Sequence, residues 1–125
     1  MTAALLDTQA LLWWLDDDRR LSAPAREALA QGARTVYYSA VSVWEIAIKR
    51  PTGKLRAPDN LIDAIDADGF VELPVLARHG WVAGALPLHH RDPFDRMIVA
   101  QAQVEQLPVI TADARIAAYE VTIVW

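Results

Sequence analysis

Cysteine is absent from the 125 residues, and with it go disulfides, thiolate nucleophiles and Cys-ligated zinc. A chain of this length can bury about two-thirds of the surface its unfolded form exposes, so residues 1–125 are expected to form one domain without cross-links. No apolar stretch approaches the roughly 20 residues a membrane span requires. The opening Met1-Thr2-Ala3-Ala4-Leu5-Leu6 carries no basic residue, and Asp7 breaks its apolar run before a secretory signal could form. Internal repeats, low-complexity tracts and Ser/Gly-rich linkers are missing too. These absences predict a soluble protein of the reducing cytoplasm.

An excess of positive charge is also lacking. The formal net charge of −4 argues against broad basic coverage of the kind that grips nucleic acid. Four acids at structurally marked positions, Asp7, Glu45, Asp95 and Asp113, account for all of that excess, and two divalent cations would neutralise it equally well. A phosphate-bearing substrate therefore stays open. The hydrophobic fraction is 54% and includes five tryptophans, which points to apolar surface reserved for another chain.

Apolar runs alternate with helical patterns. Ala4 to Leu6 reads as a strand closed by Asp7-Thr8, with helix formers from Gln9 to Leu15. Ser22 caps an expected helix with Pro24 in its first turn, ending at Gly32. Thr35 to Tyr38 is a second strand, and Ser39 to Ser42 offer caps for a helix that reaches Lys49-Arg50. A helix over Leu61 to Ile65, a strand over Phe70 to Leu73 and a weaker helix over Leu76 to Ala83 follow. Asp92-Pro93 opens the clearest helix, through to Gln106. Strands at Pro108 to Thr111 and Val121 to Trp125 complete an α/β fold with a mostly parallel sheet of four to five strands, covered on both faces. Ligands of such sheets bind beyond the carboxyl ends of the strands, where Asp7 and Asp113 fall.

Each acid has an ordinary structural reading beside a functional one. Asp7 before Thr8 fits a helix N-cap. Asp92-Pro93 is a better cap still, which places Asp95 in a first turn that favours negative charge. Asp113 fits a turn that bonds its own backbone. Glu45 differs, because Val41, Trp44, Glu45 and Ile48 follow the i, i+3, i+4, i+7 pattern and place the acid within an apolar stripe. A half-buried glutamate needs a partner, and Arg96 or Arg115 would serve if the role were a salt bridge.

If the four converge, repulsion raises the pKa of at least one unless a cation intervenes. Ligation by oxygen alone selects a hard ion, Mg²⁺ or Mn²⁺. Such ions turn bound water into hydroxide and stabilise charge on a departing oxygen during in-line displacement at phosphorus. Phosphodiester hydrolysis is the reaction class that follows.

The run Leu5-Leu6-Asp7-Thr8, the stretch from Ser42 to Lys49 followed by Gly53-Lys54-Leu55, the block His90-Arg91-Asp92-Pro93-Phe94-Asp95-Arg96 with Ala100-Gln101-Ala102, and Thr111-Ala112-Asp113 resemble the PIN-domain family. Their order and spacing match its VapC-type toxin branch. The resemblance spans nearly the whole chain. It implies a three-layer α/β/α fold, Mg²⁺- or Mn²⁺-dependent endoribonuclease activity and a cognate antitoxin that blocks the site. By position, Asp7, Glu45, Asp95 and Asp113 match the family's acidic quartet, as metal ligands and catalytic residues. Asp113 matches the least uniform member of that quartet. Asp92 matches a frequent further acid, a cap or a support for the ligands, and Thr8 and Thr111 match small hydroxyl positions beside the site.

Lys49, Arg50, Lys54 and Arg56 form the densest basic cluster, either a solvated helix end or a contact to RNA phosphate. Arg96 is expected to pair with a site carboxylate. His89 and His90 are expected as exposed loop histidines near the site mouth, within reach of RNA, with no ligand spacing for a metal. Trp13 and Trp14 point about 100° apart on a helix, so one of them is expected to meet a partner. Trp44, Trp81 and Trp125 are assigned to the core or to a homodimer interface. No DNA-reading motif is present, so DNA would be reached only through the antitoxin. Two other functions compete. An aspartate-based phosphatase lacks its paired Asp-x-Asp, since Thr8-Gln9 follow Asp7, whereas a non-catalytic PIN-like binding module would keep the acids for structure alone.

Overall fold

Short runs of apolar and β-branched residues become five strands, β1 Ala3–Leu6, β2 Thr35–Ser39, β3 Val71–Leu73, β4 Val109–Ile110 and β5 Ile123–Val124, in a computed structural model that describes residues 1–125. All pairings are parallel, in the order β3-β2-β1-β4-β5. Seven helices connect them: α1 Thr8–Leu15, α2 Ala23–Glu27, α3 Ala40–Lys49, α4 Leu61–Ala67, α5 Ala77–Ala85, α6 Pro93–Glu105 and α7 Ala114–Ala117. A single π turn, Ala28–Gly32, continues α2, and a 3₁₀ turn, Arg50–Thr52, continues α3.

The two-residue period of the strands divides the core. Ala4, Leu6, Val36, Tyr38 and Ile110 pack with Leu11 and Leu12 of α1, Ala25 of α2 and Ile65 of α4. Leu5 and Val109 point the other way, onto Ile98, Val99 and Ala102 of α6 and Ile116 of α7. Helices therefore cover both faces of the sheet, and the architecture is a three-layer α/β/α sandwich. The expected fifth strand is present but shorter than Val121 to Trp125.

The chain builds β2 and β3 on one side of the central β1, then returns to lay β4 and β5 on the other. The order reverses between β1 and β4, and a crevice opens at their carboxyl ends. Asp7 directly follows β1, and Thr111 directly follows β4.

The apolar stripe expected on α3 lies on a different side of the helix. α3 buries Val41, Ser42, Glu45 and Ile46, whereas Trp44 and Ile48 are 61% and 46% exposed. A stripe that includes Glu45 can extend to either side of it. The helix turns toward the side where Ile46 enters the core and Ser42 accepts a hydrogen bond from Thr8 at 2.8 Å. Trp13 and Trp14 also find partners within the chain. Trp13 tilts against Trp125 with ring centroids 5.8 Å apart, and Trp14 packs on Phe70 while donating to Asp68 at 3.0 Å. The tryptophans left outside are Trp44 and Trp81. No helix is long and apolar enough to cross a membrane.

Candidate metal centre

At the β1/β4 crevice a cavity of about 360 Å³ is lined by Asp7, Glu45, Asp92, Asp95 and Asp113, together with Thr8 and Lys49. Each acid arrives on a separately specified piece of backbone. Asp7 caps α1, its Oδ1 accepting from Ala10 N at 2.7 Å. Asp92 caps α6 by accepting from Phe94 N at 2.8 Å, which puts Asp95 in the first turn. Asp113 caps α7 by accepting from Arg115 N at 2.8 Å. The caps and the cavity lining thus fall on the same residues, because Asp7 and Asp113 close strand-to-helix turns at the crevice and Asp92 closes the α5–α6 turn beside them.

Capping occupies one oxygen of each acid and leaves the second for other partners. Asp7 Oδ2 accepts from the Thr111 hydroxyl at 2.5 Å, and Thr111 Oγ1 accepts in turn from Asp113 N at 3.0 Å. Thr8 does not touch a carboxylate and spends its hydroxyl on Ser42. Glu45 is 5% exposed. Its Oε2 accepts from Lys49 Nζ at 2.5 Å, while Oε1 is buried with no donor.

The electrostatics record crowding. Burial pushes Asp7 up to about 6, against the pull of its Thr111 and Ala10 hydrogen bonds, with Asp113 and Glu45 adding repulsion. Asp95 is driven to about 8, first by burial and then by the fields of Asp92, Glu45, Asp7 and Asp113. Lys49 titrates above the ordinary lysine value, since its bond to Glu45 and the charges of Glu45 and Asp92 outweigh the downward effect of burial. A divalent cation fits this donor set: all ligand atoms offered by the acids are hard oxygens, one of them is an orphaned buried acceptor, and two acids are destabilised as anions without one.

The basic and histidine expectations need correction. Lys49 turns into the cavity toward Glu45, with Asp92 Oδ2 3.6 Å away, instead of joining a solvated cluster. That lysine, four residues on along the helix, is the partner of Glu45 that Arg96 and Arg115 were expected to supply. Arg96 donates to the carbonyls of Ala83, Leu86, Pro87 and His90 at 2.8–3.3 Å, because the segment before α6 folds back over its guanidinium. Arg50 is tied to Asp59 and to the Ala57 carbonyl. Lys54 and Arg56 stay exposed and line a second depression that shares Gln9, Trp13 and Leu55 with the acidic one.

His89 is exposed as expected, but His90 is 3% exposed and its Nε2 lies 2.9 Å from Asp113 Oδ2 and 3.1 Å from Asp95 Oδ2. His90, Asp95 and Asp113 offer ligand-type atoms all within 4.8 Å of one another. The available signal was position: His90 stands two residues before the Asp92 cap, so a tight turn there carries its ring toward the first turn of α6.

Residues 4–121 match the family model of the PIN domain. Among solved structures, the chain is similar to VapBC2 from Rickettsia felis bound to a promoter DNA fragment (TM-score 0.70, 14% identity, 98% of this chain and 97% of that one). It is similar to DNA-bound VapBC from Salmonella typhimurium (TM-score 0.71, 17% identity, 98% and 97%). It also resembles the toxin–antitoxin system VapBC-5 from Mycobacterium tuberculosis (TM-score 0.62, 24% identity, 99% and 98%). At these identities the likeness establishes the fold. No curated protein matches in sequence.

Proposed function

The chain belongs to the PIN-domain family, and on that premise we propose that it is a divalent-metal-dependent endoribonuclease, the toxin of a VapC-type pair held inactive by a cognate antitoxin. One observation carries the reading: Asp7, Glu45, Asp95 and Asp113 come from four separate segments to one cavity at the topological switch point. Their oxygens would hold Mg²⁺ or Mn²⁺. Such an ion, when bound, supplies activated water and offsets charge that develops on a phosphodiester.

The protein's own groups prepare that site. Thr111 orients Asp7 by its hydroxyl, and Asp92 holds the start of α6 so that Asp95 faces the cavity. Asp95, pushed to about 8, holds a proton at neutral pH in the metal-free cavity, and its carboxylate would serve as a ligand once that proton is lost. Lys49 places an ammonium beside Glu45 and Asp92, where an RNA phosphate entering the cavity meets it. Lys54 and Arg56, with Arg50 and His89, are the candidates for contacts farther along the RNA. Fold relatives crystallised as toxin–antitoxin complexes support an antitoxin partner, through which DNA is reached. Trp44 and Trp81, exposed on α3 and α5, support a homodimer. The expected setting is the cytoplasm.

The Glu45–Lys49 pair favours one other reading, a non-catalytic PIN-like protein-binding module in which the ammonium permanently replaces a metal. Cleavage assays on purified protein separate the two. RNA should be cut with Mn²⁺ or Mg²⁺ and spared with EDTA, and both Asp7→Asn and Glu45→Gln should be folded and inactive. Cleavage retained by either variant at normal metal concentration removes the site as drawn. Absence of metal binding up to millimolar Mn²⁺ selects the module.

A further inference from the structure

His90 is a buried side chain in contact with two site carboxylates, and nothing above gives it a task. Its hydrogen bonds fix its tautomer. Nδ1 accepts from Asp92 N at 3.1 Å, so in the neutral ring the proton sits on Nε2. That Nε2–H donates to Asp113 Oδ2 at 2.9 Å, and Asp95 Oδ2 lies 3.1 Å from the same nitrogen. The two acids stand on different elements, the first turn of α6 and the cap of α7. Both are negatively charged when ionised, and a ring nitrogen bonded to one and within 3.1 Å of the other offsets their repulsion.

The ring is itself braced. His90 N donates to the Tyr119 hydroxyl at 2.9 Å, and that hydroxyl donates to the Pro87 carbonyl at 2.5 Å. Arg96 gathers the Pro87 and His90 carbonyls from the other side. A flexible loop would not need a guanidinium and a phenol to fix four residues of backbone.

We propose that His90 is a positioning residue, which sets the spacing and orientation of the Asp95 and Asp113 oxygens toward the divalent cation and does not ligate it. The inference rests on the metal-dependent reading of the cavity. A ligand role would require a bare Nε2. The ring proton would then move to Nδ1 and point at Asp92 N–H, setting two donors against each other at 3.1 Å. Support of this kind, through a hydrogen bond to a ligand, is commonly worth 10- to 100-fold in metal affinity.

The test uses the full chain and Mn²⁺ alone. Calorimetric titration of His90→Ala should show Mn²⁺ affinity lowered about 10- to 100-fold, with circular dichroism confirming the fold. His90→Gln, whose amide can still donate to a carboxylate, should recover most of the loss, which a packing role would not produce. Pulsed electron paramagnetic resonance of Mn²⁺-loaded wild type should lack the nitrogen coupling of a directly bound imidazole. That coupling, or wild-type affinity in His90→Ala, overturns the proposal. So does a wild type that binds no Mn²⁺, which also ends the metal-dependent reading. A wild type that binds Mn²⁺ and cuts no RNA ends only the ribonuclease reading, and the His90 variants still decide by affinity.

Discussion

Asp16, Asp17 and Asp18 form the densest acidic run in the chain, whereas the acids of the cavity are scattered from residue 7 to residue 113. Their environments are opposite. Asp18 is held down to about 2 by hydrogen bonds from the Arg20 side chain and backbone, and Asp17 pairs with Arg26 at 2.7 Å. Asp7 and Asp95 are pushed up to about 6 and about 8 by burial and by neighbouring acids of the cavity. Three adjacent carboxylates at a helix end each reach water or a guanidinium. Acids folded into one cavity have Lys49 as the cation among its lining residues. Acidity along the chain therefore says little about a site; burial without a counter-charge says much.

The sharpest way to break that contrast is to neutralise each set. Asp7→Asn, Glu45→Gln or Asp95→Asn should lower Mn²⁺-dependent RNA cleavage by more than about 100-fold, since direct ligation matters more than the support of a ligand. Asp16→Asn or Asp17→Asn should leave cleavage within about twofold. Initial rates on one RNA, with circular dichroism as the control for folding, decide it. Equal losses in both sets would dissolve the distinction.

The two regions should also respond to pH with opposite sign. A carboxylate whose folded pKa lies above its unfolded value binds more protons when folded, so Asp7 and Asp95 favour the metal-free fold below 3.8 and lose that contribution as pH rises through about 6 and about 8. Asp18, lowered to about 2, contributes stability above 3.8 and loses it as pH falls through about 2. Under the proposed metal dependence, a bound cation would invert the cavity's behaviour. If Asp95 ligates Mn²⁺, the ion must displace its proton, and affinity should climb by up to about tenfold per unit toward pH 8 and level off above. Calorimetry across pH 6.5 to 9 should show this slope in wild type, and a flat profile there would refute the crowding of Asp95.

A smaller effect isolates the cavity's own cation. Lys49→Met removes the ammonium that occupies Glu45, so Mn²⁺ should bind up to about tenfold more tightly through the loss of like-charge competition. Cleavage should nevertheless fall, because the charge facing the phosphate is gone. Lys54→Met, outside the acidic cavity, should leave affinity unchanged. Weaker Mn²⁺ binding in Lys49→Met would mean that the lysine organises Glu45 instead of competing for it.

How much of this was legible follows from which interactions are local. Strand runs, caps and the acids themselves are written in adjacent residues, so the parallel α/β layout and the strand-end placement of Asp7 and Asp113 emerge from the sequence. The burial of Glu45 is legible from its apolar neighbours, although the buried face of α3 holds Ser42 and Ile46 instead of Trp44 and Ile48. The reading of Asp7, Asp92 and Asp113 as either caps or site residues posed a choice that the fold does not make. Lys49, Arg96 and His90 were misplaced because each partner is chosen by rotamer and loop path. The i,i+4 spacing of Glu45 and Lys49 permitted their pair, but the basic run after it suggested solvent. Nothing adjacent to Arg96 announces that four carbonyls will converge on its guanidinium.

The smallest expected change lies where acid is densest. Asp18→Asn removes the carboxylate charge and one of the two acceptor oxygens that hold Arg20, whose guanidinium carbon also sits 5.0 Å from the centroid of the Trp13 ring. Exposed pairs of this kind contribute little, because the charges are screened and two long side chains must be ordered to meet. Melting temperature should move by no more than a few degrees at neutral pH and by less near pH 2, where Asp18 is already losing its charge. Trp13 lines both the acidic cavity and the depression that holds Arg20, Lys54 and Arg56. A freed Arg20 therefore adds positive charge beside the entrance, and cleavage at limiting RNA and low salt should rise by less than about twofold, an increase abolished by added salt. A large loss of cleavage in Asp18→Asn would place the aspartate run inside the functional surface and erase the contrast between the two acidic regions.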